Sequence, residues 1–509
     1  METIAGLDPE ALNRARISRD PRFDGKFFIA VTSTGIYCRP ICPSRWAKRS
    51  NVRFFGSTAA AEAAGFRPCL RCRPEAAPGT PAWLGTAAVV RRALRLIDDG
   101  ALDEDSVDAL AAHLGIGARH LVRLFARHVG ASPIAVAQTR RLHFAICLLE
   151  EIDLPITQVA MVAGFGSCRR FNEAFRIAYR RTPRELRQAS RRGGAGAASD
   201  EVKLRLAYRP PYDWAHLREF LALRAIAGVE RVDDRGYART LACAGGYARL
   251  CVRAVGGVNA LELHVAGAPP SALLPLASAA RRVFDLAGDP ARIGAELAAD
   301  SLIGPLVRLR PGLRIPGAWD AFECAVRAVL GQQVSVAAAR TLAGRLVERA
   351  GEPLRGGDEG LTHLFPGAAG LARANLDGLG ITGTRVAALK SLARAVLERR
   401  VDFSGPPAEV ATAMAALPGI GPWTAQYVAL RALGEPDAFP HGDWVLRRMA
   451  ASPGRPALSA RELDERARQW RPWRGYATIH LWRAAGELAG RVRTVPGVRM
   501  PPAHAHFSA

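Results

Sequence analysis

Four cysteines in two close pairs constrain this chain more than any other feature of its sequence. Cys38 and Cys42 are separated by three residues, Cys69 and Cys72 by two, and 26 residues join the pairs. Such spacing suits a zinc site with four thiolates, because each pair can span one edge of a tetrahedron. Two disulfides or unconnected thiols are the alternatives. We predict one zinc ion bound by Cys38, Cys42, Cys69 and Cys72.

The charge balance indicates an affinity for polyanions. The 509 residues include 70 Lys and Arg against 47 Asp and Glu, which leaves a net charge of +23. Such an excess attracts nucleic acid first. Only four of the basic residues are Lys, however, and an arginine bias of this kind can also come from codon usage. A chain of this length, 49% apolar, usually forms three or four domains.

No segment is predicted to cross a membrane. The uncharged window at residues 410–430 is interrupted by Pro418, Gly419, Gly421 and Pro422, and we expect two short helices around a turn there. Charged residues interrupt the first 20 positions, so no signal peptide is expected. Nine cysteines, an odd number, do not suggest a disulfide framework. These features predict a cytoplasmic protein.

Two copies of one helical pattern lie in residues 83–190. Residues 107–115 match residues 156–164 at an offset of 49, and each copy predicts a short helix, a glycine-containing turn and a second helix. This arrangement is typical of tandem helix-turn-helix units, with the first recognition helix at 118–128. A solvated basic face on an ordinary helical domain is the alternative. The region resembles the AraC/XylS-type DNA-binding domain. The outward basic residues expected to contact DNA are Arg119, Arg123, Arg169, Arg170 and Arg176.

The cysteine pairs also lie in a family pattern. Residues 34–42 and 64–72 resemble the N-terminal domain of the Ada family, and the resemblance covers nearly all of residues 1–75. It implies that Cys38 accepts a methyl group from a methylated DNA phosphate, once and irreversibly. Methylation would reduce the formal charge of a four-thiolate zinc site from −2 to −1. We therefore expect methylated protein to bind DNA more tightly. Basic residues crowd this segment: Arg39, Arg45, Lys48, Arg49, Arg53, Arg67, Arg71 and Arg73.

A glycine-rich turn and an aspartate mark the C-terminal half. Residues 417–425 predict a hairpin between two short helices, where N–H groups near Gly419 and Gly421 can bind a phosphate. Asp443 follows Trp423 by 20 residues. The pairing resembles the helix-hairpin-helix DNA glycosylases, in which an aspartate at this spacing is catalytic. An aspartate here could also simply cap a helix.

The closer resemblance is to the AlkA-type, 3-methyladenine DNA glycosylase II family, over most of residues 202–490. Residues 210–214, 320–323, 331–336 and 470–476 carry it. It implies that Asp443 stabilises positive charge on the sugar as the N-glycosidic bond breaks. It also implies that Gln332 and Gln333 contact DNA, with Gln333 at the position of an apolar wedge. A pocket for a flipped, alkylated base would be lined by Phe220, Trp423, Tyr427 and Trp482, which core packing could otherwise explain.

Two absences limit the predicted chemistry. Trp423 occupies the position at which strand-cutting glycosylases carry Lys, so a monofunctional hydrolase is expected. No cysteine follows Cys324, so we expect no iron–sulfur cluster and no methyltransferase motif for O6-methylguanine. We expect no organic cofactor.

The fold class that follows is multidomain. We predict a small α+β zinc-binding methyl-acceptor domain at 1–78 and an all-α tandem helix-turn-helix domain at 83–190. A flexible, glycine- and alanine-rich linker at 188–201 would follow. An α+β glycosylase N-terminal domain is predicted at 202–312, an all-α helix-hairpin-helix glycosylase domain at 313–492 and a tail at 493–509.

The predicted function is that of a bifunctional alkylation-response transcriptional activator and DNA repair enzyme. Cys38 would take the methyl group from a methylphosphotriester, and the C-terminal half would hydrolyse alkylated bases of the 3-methyladenine class from DNA. The expected partners are double-stranded DNA and RNA polymerase, with no membrane, and the protein is expected to be a nucleoid-associated monomer. A regulator with a lesion-binding but inactive glycosylase half is one alternative. Zinc-stabilised DNA targeting without methyl transfer is another.

Overall fold

The chain divides into two compact units in the computed structural model. The first comprises residues 1–210, 242–281 and 286–288, and the second comprises residues 211–241, 282–285 and 289–509. Most of the predicted linker and the tail at 493–509 lie outside the described residues. The structure describes residues 4, 7–74, 77, 78, 88–98, 100–103, 105–151, 154–191, 201–243, 246–358, 360–452 and 454–490.

The N-terminal segment of the first unit is a four-stranded sheet with two helices. The strand order is β3-β1-β2-β4, and only β2 and β4 are parallel. Alternate residues of β1 face opposite sides: Ile29 packs in a cluster with Leu12, and Phe28 in one with Tyr37. The elements are α1 (Pro9–Ser18), β1 (Phe28–Val31), β2 (Ile36–Cys38), β3 (Val52–Phe55), α2 (Thr58–Ala63) and β4 (Arg67–Pro68).

Seven helices follow in the same unit. The predicted recognition helix at 118–128 is confirmed as α5, and α8 is its counterpart in the second copy. Ser106 and Ser167 cap the helices α4 and α8 through their side-chain oxygens. The long helix α6 joins the copies. The helices are α3 (Ala88–Asp98), α4 (Val107–His113), α5 (Ala118–His128), α6 (Pro133–Glu151), α7 (Ile156–Val162), α8 (Cys168–Tyr179) and α9 (Pro183–Arg191).

The segment at 202–312, predicted to be α+β, contains both strands and helices. In the first unit β9 pairs antiparallel with β5 and with β8, and in the second unit β6 and β7 form an antiparallel hairpin. The elements are β5 (Glu201–Ala207), α10 (Trp214–Ala222), β6 (Glu230–Asp233), β7 (Gly236–Cys243), β8 (Gly246–Ala254), β9 (Ala260–Ala266), α11 (Leu273–Val283), α12 (Pro290–Leu297) and α13 (Ile303–Leu309).

The rest of the second unit is mainly helical, with one departure from expectation. An all-α domain was predicted at 313–492, but β10 and β11 form a hairpin within it. Pro353 disfavours a helix there, and Gly360, at φ +82°, supplies a turn. The elements are α14 (Ala321–Leu330), α15 (Val336–Ala350), β10 (Glu352–Asp358), β11 (Leu361–Leu364), α16 (Ala368–Arg373), α17 (Gly383–Leu397), α18 (Pro407–Ala415), α19 (Pro422–Arg431), α20 (Trp444–Met449), α21 (Ala460–Ala467) and α22 (Arg474–Leu488).

The window at 410–430 forms the two predicted short helices, α18 and α19, around a turn. Gly419 lies in this turn at φ +79°, and a Cβ there would lie 2.8 Å from the Ala388 side chain, so only glycine fits. Among the described residues, no helix combines the length and apolar character that crossing a bilayer requires.

Candidate functional sites

The strands β2 and β4 bring the two cysteine pairs together. Strand β2 ends at Cys38, and Cys69 follows directly after β4, which runs parallel to β2. A short turn after each strand then places the second cysteine of the pair, Cys42 or Cys72, close to the first. In these turns the Cys42 N–H donates to the Arg39 carbonyl (3.1 Å) and the Arg73 N–H to the Cys69 carbonyl (3.0 Å). The ligand atoms of Cys38, Cys42, Cys69 and Cys72 all lie within 4.8 Å of one another.

This donor set fits one zinc ion. Four sulfurs at this separation can surround a metal at Zn–S distances of about 2.3 Å. Hydrogen bonds among the four sulfurs lower the pKa of the Cys42 and Cys69 thiols, for Cys69 to about 6, and with burial they raise the pKa of the Cys38 and Cys72 thiols. A metal binds the thiolate form of each cysteine. The predicted four-thiolate zinc centre is confirmed in its ligand set.

The four sulfur ligands differ in their exposure. Cys42, Cys69 and Cys72 are 6%, 8% and 8% exposed, whereas Cys38 is only partly buried. Cys38 is therefore the most exposed residue of the four. Of the eight nearby basic residues, five are exposed: Arg45, Lys48, Arg49, Arg53 and Arg71. Arg39 instead turns inward, and its Nε donates to Asp24 Oδ1 at 2.9 Å.

The two recognition helices present their basic residues to solvent. In α5 the buried residues are Leu121 and Phe125, and in α8 they include Phe171 and Phe175. These apolar residues pack in the core and leave the opposite helix faces outward. Those faces carry the predicted set, all exposed: Arg119, Arg123, Arg169, Arg170 and Arg176.

Asp443 accepts hydrogen bonds from two tryptophan indoles and from its own helix. It is the N-cap of α20, with the Leu446 N–H donating to Oδ1 at 3.0 Å. The Trp423 indole N–H donates to Oδ2 (2.9 Å) and the Trp482 indole N–H to Oδ1 (3.3 Å). The helix-cap role that the sequence allowed is therefore real. The two indole bonds in addition fix the carboxylate next to aromatic rings.

Three of the four predicted pocket residues form one aromatic group. Trp423 and Tyr427 are stacked, with ring centroids 5.4 Å apart and planes 22° apart. Tyr427 and Trp482 follow at 6.0 Å. All three are partly exposed. The structure thus places Asp443 directly beside this group.

The fourth residue, Phe220, has a different environment, which the sequence analysis missed. It is 7% exposed, and the guanidinium groups of Arg224 and Arg431 lie 3.7 and 4.7 Å from its ring centroid. Arg431 also donates to the Tyr427 hydroxyl at 2.6 Å. Burial lowers the pKa of Arg224 to about 10, so it stays charged at neutral pH. Two cations of the protein therefore already contact Phe220. Arg431 follows Tyr427 by four residues on α19, a spacing that could have signalled the contact between these two. Arg224 follows Phe220 by four residues, just past the end of α10.

The two glutamines of the 331–336 loop occupy different positions. The Gln332 amide donates to the Gly419 carbonyl (3.0 Å) and to Thr424 (3.1 Å), so it ties the loop to the hairpin. Gln333 is exposed and has φ +54°, a left-handed conformation uncommon outside glycine. Of the two, Gln333 is the side chain that the loop presents to solvent.

Comparisons with known proteins match most of the chain. The family description "Metal binding domain of Ada" matches residues 11–75, "Helix-turn-helix domain" residues 110–189, and "AlkA N-terminal domain" residues 203–320. The chain is 42% identical over 488 residues to the "Probable bifunctional transcriptional activator/DNA repair enzyme AlkA" of Mycobacterium tuberculosis. That match covers 93% of this chain and 96% of that protein.

Two Escherichia coli proteins match the separate halves. "DNA-3-methyladenine glycosylase 2" is 39% identical over 290 residues, which is 55% of this chain and 97% of that protein. "Bifunctional transcriptional activator/DNA repair enzyme Ada" is 38% identical over 143 residues, 28% of this chain and 39% of that protein.

Proposed function

The chain belongs to the family of the Mycobacterium tuberculosis bifunctional transcriptional activator/DNA repair enzyme AlkA, and on that premise we propose two linked activities. Cys38 takes methyl groups from DNA methylphosphotriesters, and the methylated protein activates transcription. The C-terminal half hydrolyses the N-glycosidic bond of alkylated bases of the 3-methyladenine class, as a monofunctional glycosylase.

Methyl transfer is supported by the partial exposure of Cys38 among three buried sulfurs. The Cys38 sulfur attacks the methyl carbon, the bond between that carbon and the phosphate oxygen breaks, and its electron pair stays on the oxygen. The products are a thioether and an ordinary phosphodiester. A bound zinc ion would supply the charge that keeps the four cysteines as thiolates at neutral pH. The exposed basic residues nearby can bind the DNA backbone.

Base excision is supported by a single observation, the carboxylate of Asp443 hydrogen-bonded beside a stack of partly exposed aromatic rings. As the bond between C1′ and the base nitrogen breaks, its electron pair leaves with the base and positive charge develops on the sugar. Asp443 stabilises this charge and orients the water that adds to C1′. Trp423, Tyr427 and Trp482 stack on the flipped base. N-alkylpurines are cationic and leave as neutral bases, so no protonation by an acid is needed.

The regulatory half is proposed to act as a monomer with RNA polymerase on nucleoid DNA. Its two helix-turn-helix copies lie on one chain, so a single molecule presents two recognition helices, α5 and α8. The side chains of this half that contact DNA are Arg119, Arg123, Arg169, Arg170 and Arg176. In the C-terminal half, DNA is contacted by the hairpin at Gly419 and Gly421 and by the loop at Gln332 and Gln333. Methylation of Cys38 strengthens DNA binding by removing one negative charge from the centre.

Base release from methylated duplex DNA tests the glycosylase proposal. Wild-type protein should release 3-methyladenine, and Asp443→Asn should reduce the rate by about 10²–10⁴-fold. Equal rates of base release in the wild type and in Asp443→Asn would show that the protein is a glycosylase but that Asp443 is not its catalytic residue. Binding without release in the wild type would favour the regulator with an inactive glycosylase half.

Mass spectrometry after incubation with methylphosphotriester DNA tests the methyl-transfer proposal. It should show a methyl adduct on Cys38, whereas zinc-stabilised DNA targeting alone predicts no adduct.

A further inference from the structure

A partly buried carboxylate connects the strand that carries Cys38 to the helix that joins the two recognition units. Glu62, on α2, accepts hydrogen bonds from the Tyr37 hydroxyl (2.7 Å), the Thr139 hydroxyl (2.5 Å) and His143 Nε2 (3.3 Å). Tyr37 lies on β2, and Thr139 and His143 lie on α6. These four residues are named the Glu62 cluster.

The Glu62 cluster is built to hold a charge. Tyr37 and Thr139 are 0% and 6% exposed, and an unpaired carboxylate in such surroundings would be strongly destabilising. Burial raises the pKa of Glu62, but hydrogen bonds and charge from His143, with hydrogen bonds from Thr139 and Tyr37, hold it below its usual value. The carboxylate therefore depends on partners from both β2 and α6, and neither element can move without breaking a bond to it.

Two further contacts keep α2 close to the end of the first recognition helix. The Ser57 hydroxyl donates to the Val129 carbonyl at 2.9 Å. Gly130, at φ +77°, would place a Cβ only 3.1 Å from the Ala60 side chain. The chain thus uses a glycine where α2 approaches the α5–α6 connection most closely.

Tyr37 connects this interface to the cysteine centre. It directly precedes Cys38 on β2, and its carbonyl accepts the N–H of Cys69 at 3.0 Å. A displacement of Cys38 or Cys69 is therefore transmitted to Tyr37 through one peptide unit or one hydrogen bond. The aromatic ring of Tyr37 is rigid, so its hydroxyl carries the displacement to Glu62.

We propose that the Glu62 cluster transmits the methylation state of Cys38 to α6 and thereby sets the relative position of the two recognition helices. Methylation turns the Cys38 thiolate into a weaker thioether ligand, which changes the end of β2. Because α6 joins the helix pairs α4–α5 and α7–α8, its movement changes how both pairs meet DNA. This link acts beside the loss of negative charge, and it rests on the proposed function of Cys38.

The test compares hydrogen exchange in α6 before and after methylation of the full-length, zinc-loaded protein. A short oligonucleotide with one methylphosphotriester supplies the methyl group, and mass spectrometry confirms the adduct on Cys38. In the wild type we expect exchange of α6 amides to change by about threefold or more. In Tyr37→Phe, which loses only a hydroxyl, methylation should proceed normally while the α6 response disappears.

Matched variants separate this link from general loosening of the interface. Ser57→Ala removes the hydrogen bond to Val129 between the same two regions and also the N-cap bond to the Ala60 N–H. It removes no bond of the Glu62 cluster, so its α6 response should match the wild type. Thr139→Val breaks the cluster from the α6 side and should behave like Tyr37→Phe, which covers the case of a poorly folded Tyr37 variant. Affinity for a generic duplex should still rise on methylation in both cluster variants, because the charge change remains.

The outcomes are distinguishable. An unchanged α6 in methylated wild type, or a full α6 response in Tyr37→Phe and Thr139→Val, overturns the link. If the oligonucleotide transfers no methyl group, the proposed function of Cys38 fails. The link is then tested by alkylating Cys38 with methyl iodide, with the same exchange results deciding for or against it.

Discussion

The cysteine centre and the Asp443 site differ in how their reacting groups are arranged. In the centre, four sulfurs concentrate negative charge within 4.8 Å, and the most accessible of them is the proposed reactant. At Asp443 a single carboxylate receives three N–H donors and is held rather than made more nucleophilic. The first arrangement suits a group that is consumed, and the second suits a group that must return unchanged after each reaction.

The two sites also differ in how the chain assembles them. The four cysteines lie within 35 residues of the chain, at the ends of two paired strands and in the turns that follow them. The donors to Asp443 lie 20 and 39 residues away on separate helices, α19 and α22. Damage to the centre should therefore stay within the first unit, whereas the carboxylate depends on packing across the second unit.

Metal loss is the strongest test of this difference. Cys69→Ser should abolish stoichiometric zinc binding, which removes about 10 kcal/mol of stabilisation from the N-terminal segment. Proteolysis should then cut within residues 7–74, measured beside zinc content, while base release stays at the wild-type rate. Cys251→Ser, at a cysteine outside the centre, is the control. Loss of base release in Cys69→Ser alone would show that the two sites are not independent.

A pair of substitutions should separate the two chemistries. Cys38→Ala should lose all methyl transfer and keep base release. Asp443→Asn should lose about 10²–10⁴-fold in base release, or about 3–5 kcal/mol, and keep methyl transfer. Both activities are measured on each variant, by mass of the adduct and by released base. A variant that loses both activities while still folded would contradict the division of labour.

Acid should weaken the second unit through buried histidines. Burial, with the charge of Arg310, lowers the pKa of His480 to about 4, and burial lowers that of His216 to about 3. The unfolded chain, with a pKa near 6.5, binds the proton first as pH falls. Stability is therefore full above about pH 6.5 and declines toward pH 4, by about 3 kcal/mol for His480.

Urea unfolding of the second unit between pH 7.5 and pH 4.5 measures this acid effect. His480→Leu should reduce the pH dependence, and His441→Gln, at a partly exposed position, should preserve it. The expectation fails if stability is the same at both ends of the range.

The smallest effect is expected from removing one indole donor. Trp423→Phe keeps an aromatic ring but loses the hydrogen bond to Asp443, which should lower the rate of base release about tenfold. Trp473→Phe is the control, because it loses a similar bond, to Glu296 at 2.7 Å, far along the chain from Asp443. Equal losses in both variants would indicate general destabilisation. A change in KM alone would indicate that Trp423 acts only by stacking.

Local patterns predicted a large part of this molecule. The cysteine spacing identified the centre, the repeat gave α5 to the residue, and the spacing from Trp423 to Asp443 located the carboxylate. Each of these depends on residues close in sequence or on a short motif, where geometry follows from the chain itself.

What the sequence did not reveal depends on long-range packing. The Tyr37–His143 contact spans 106 residues, and no local pattern marks it. The internal role of Gln332 follows from its approach to Gly419, 87 residues away. The contact of Arg431 with the Phe220 ring joins distant parts of the chain, and only the structure shows it.

The partial exposure of Cys38 has a consequence for how cells would use this protein. A thioether has no route back to the thiolate, so on the proposed function each chain records one event and keeps that record. The number of marked chains then counts damaged phosphates, and the count fades only as growth dilutes old molecules with new ones. Asp443 is regenerated after each base is released, so it keeps no record of earlier reactions. One polypeptide therefore combines a site that reacts once with a site that reacts repeatedly.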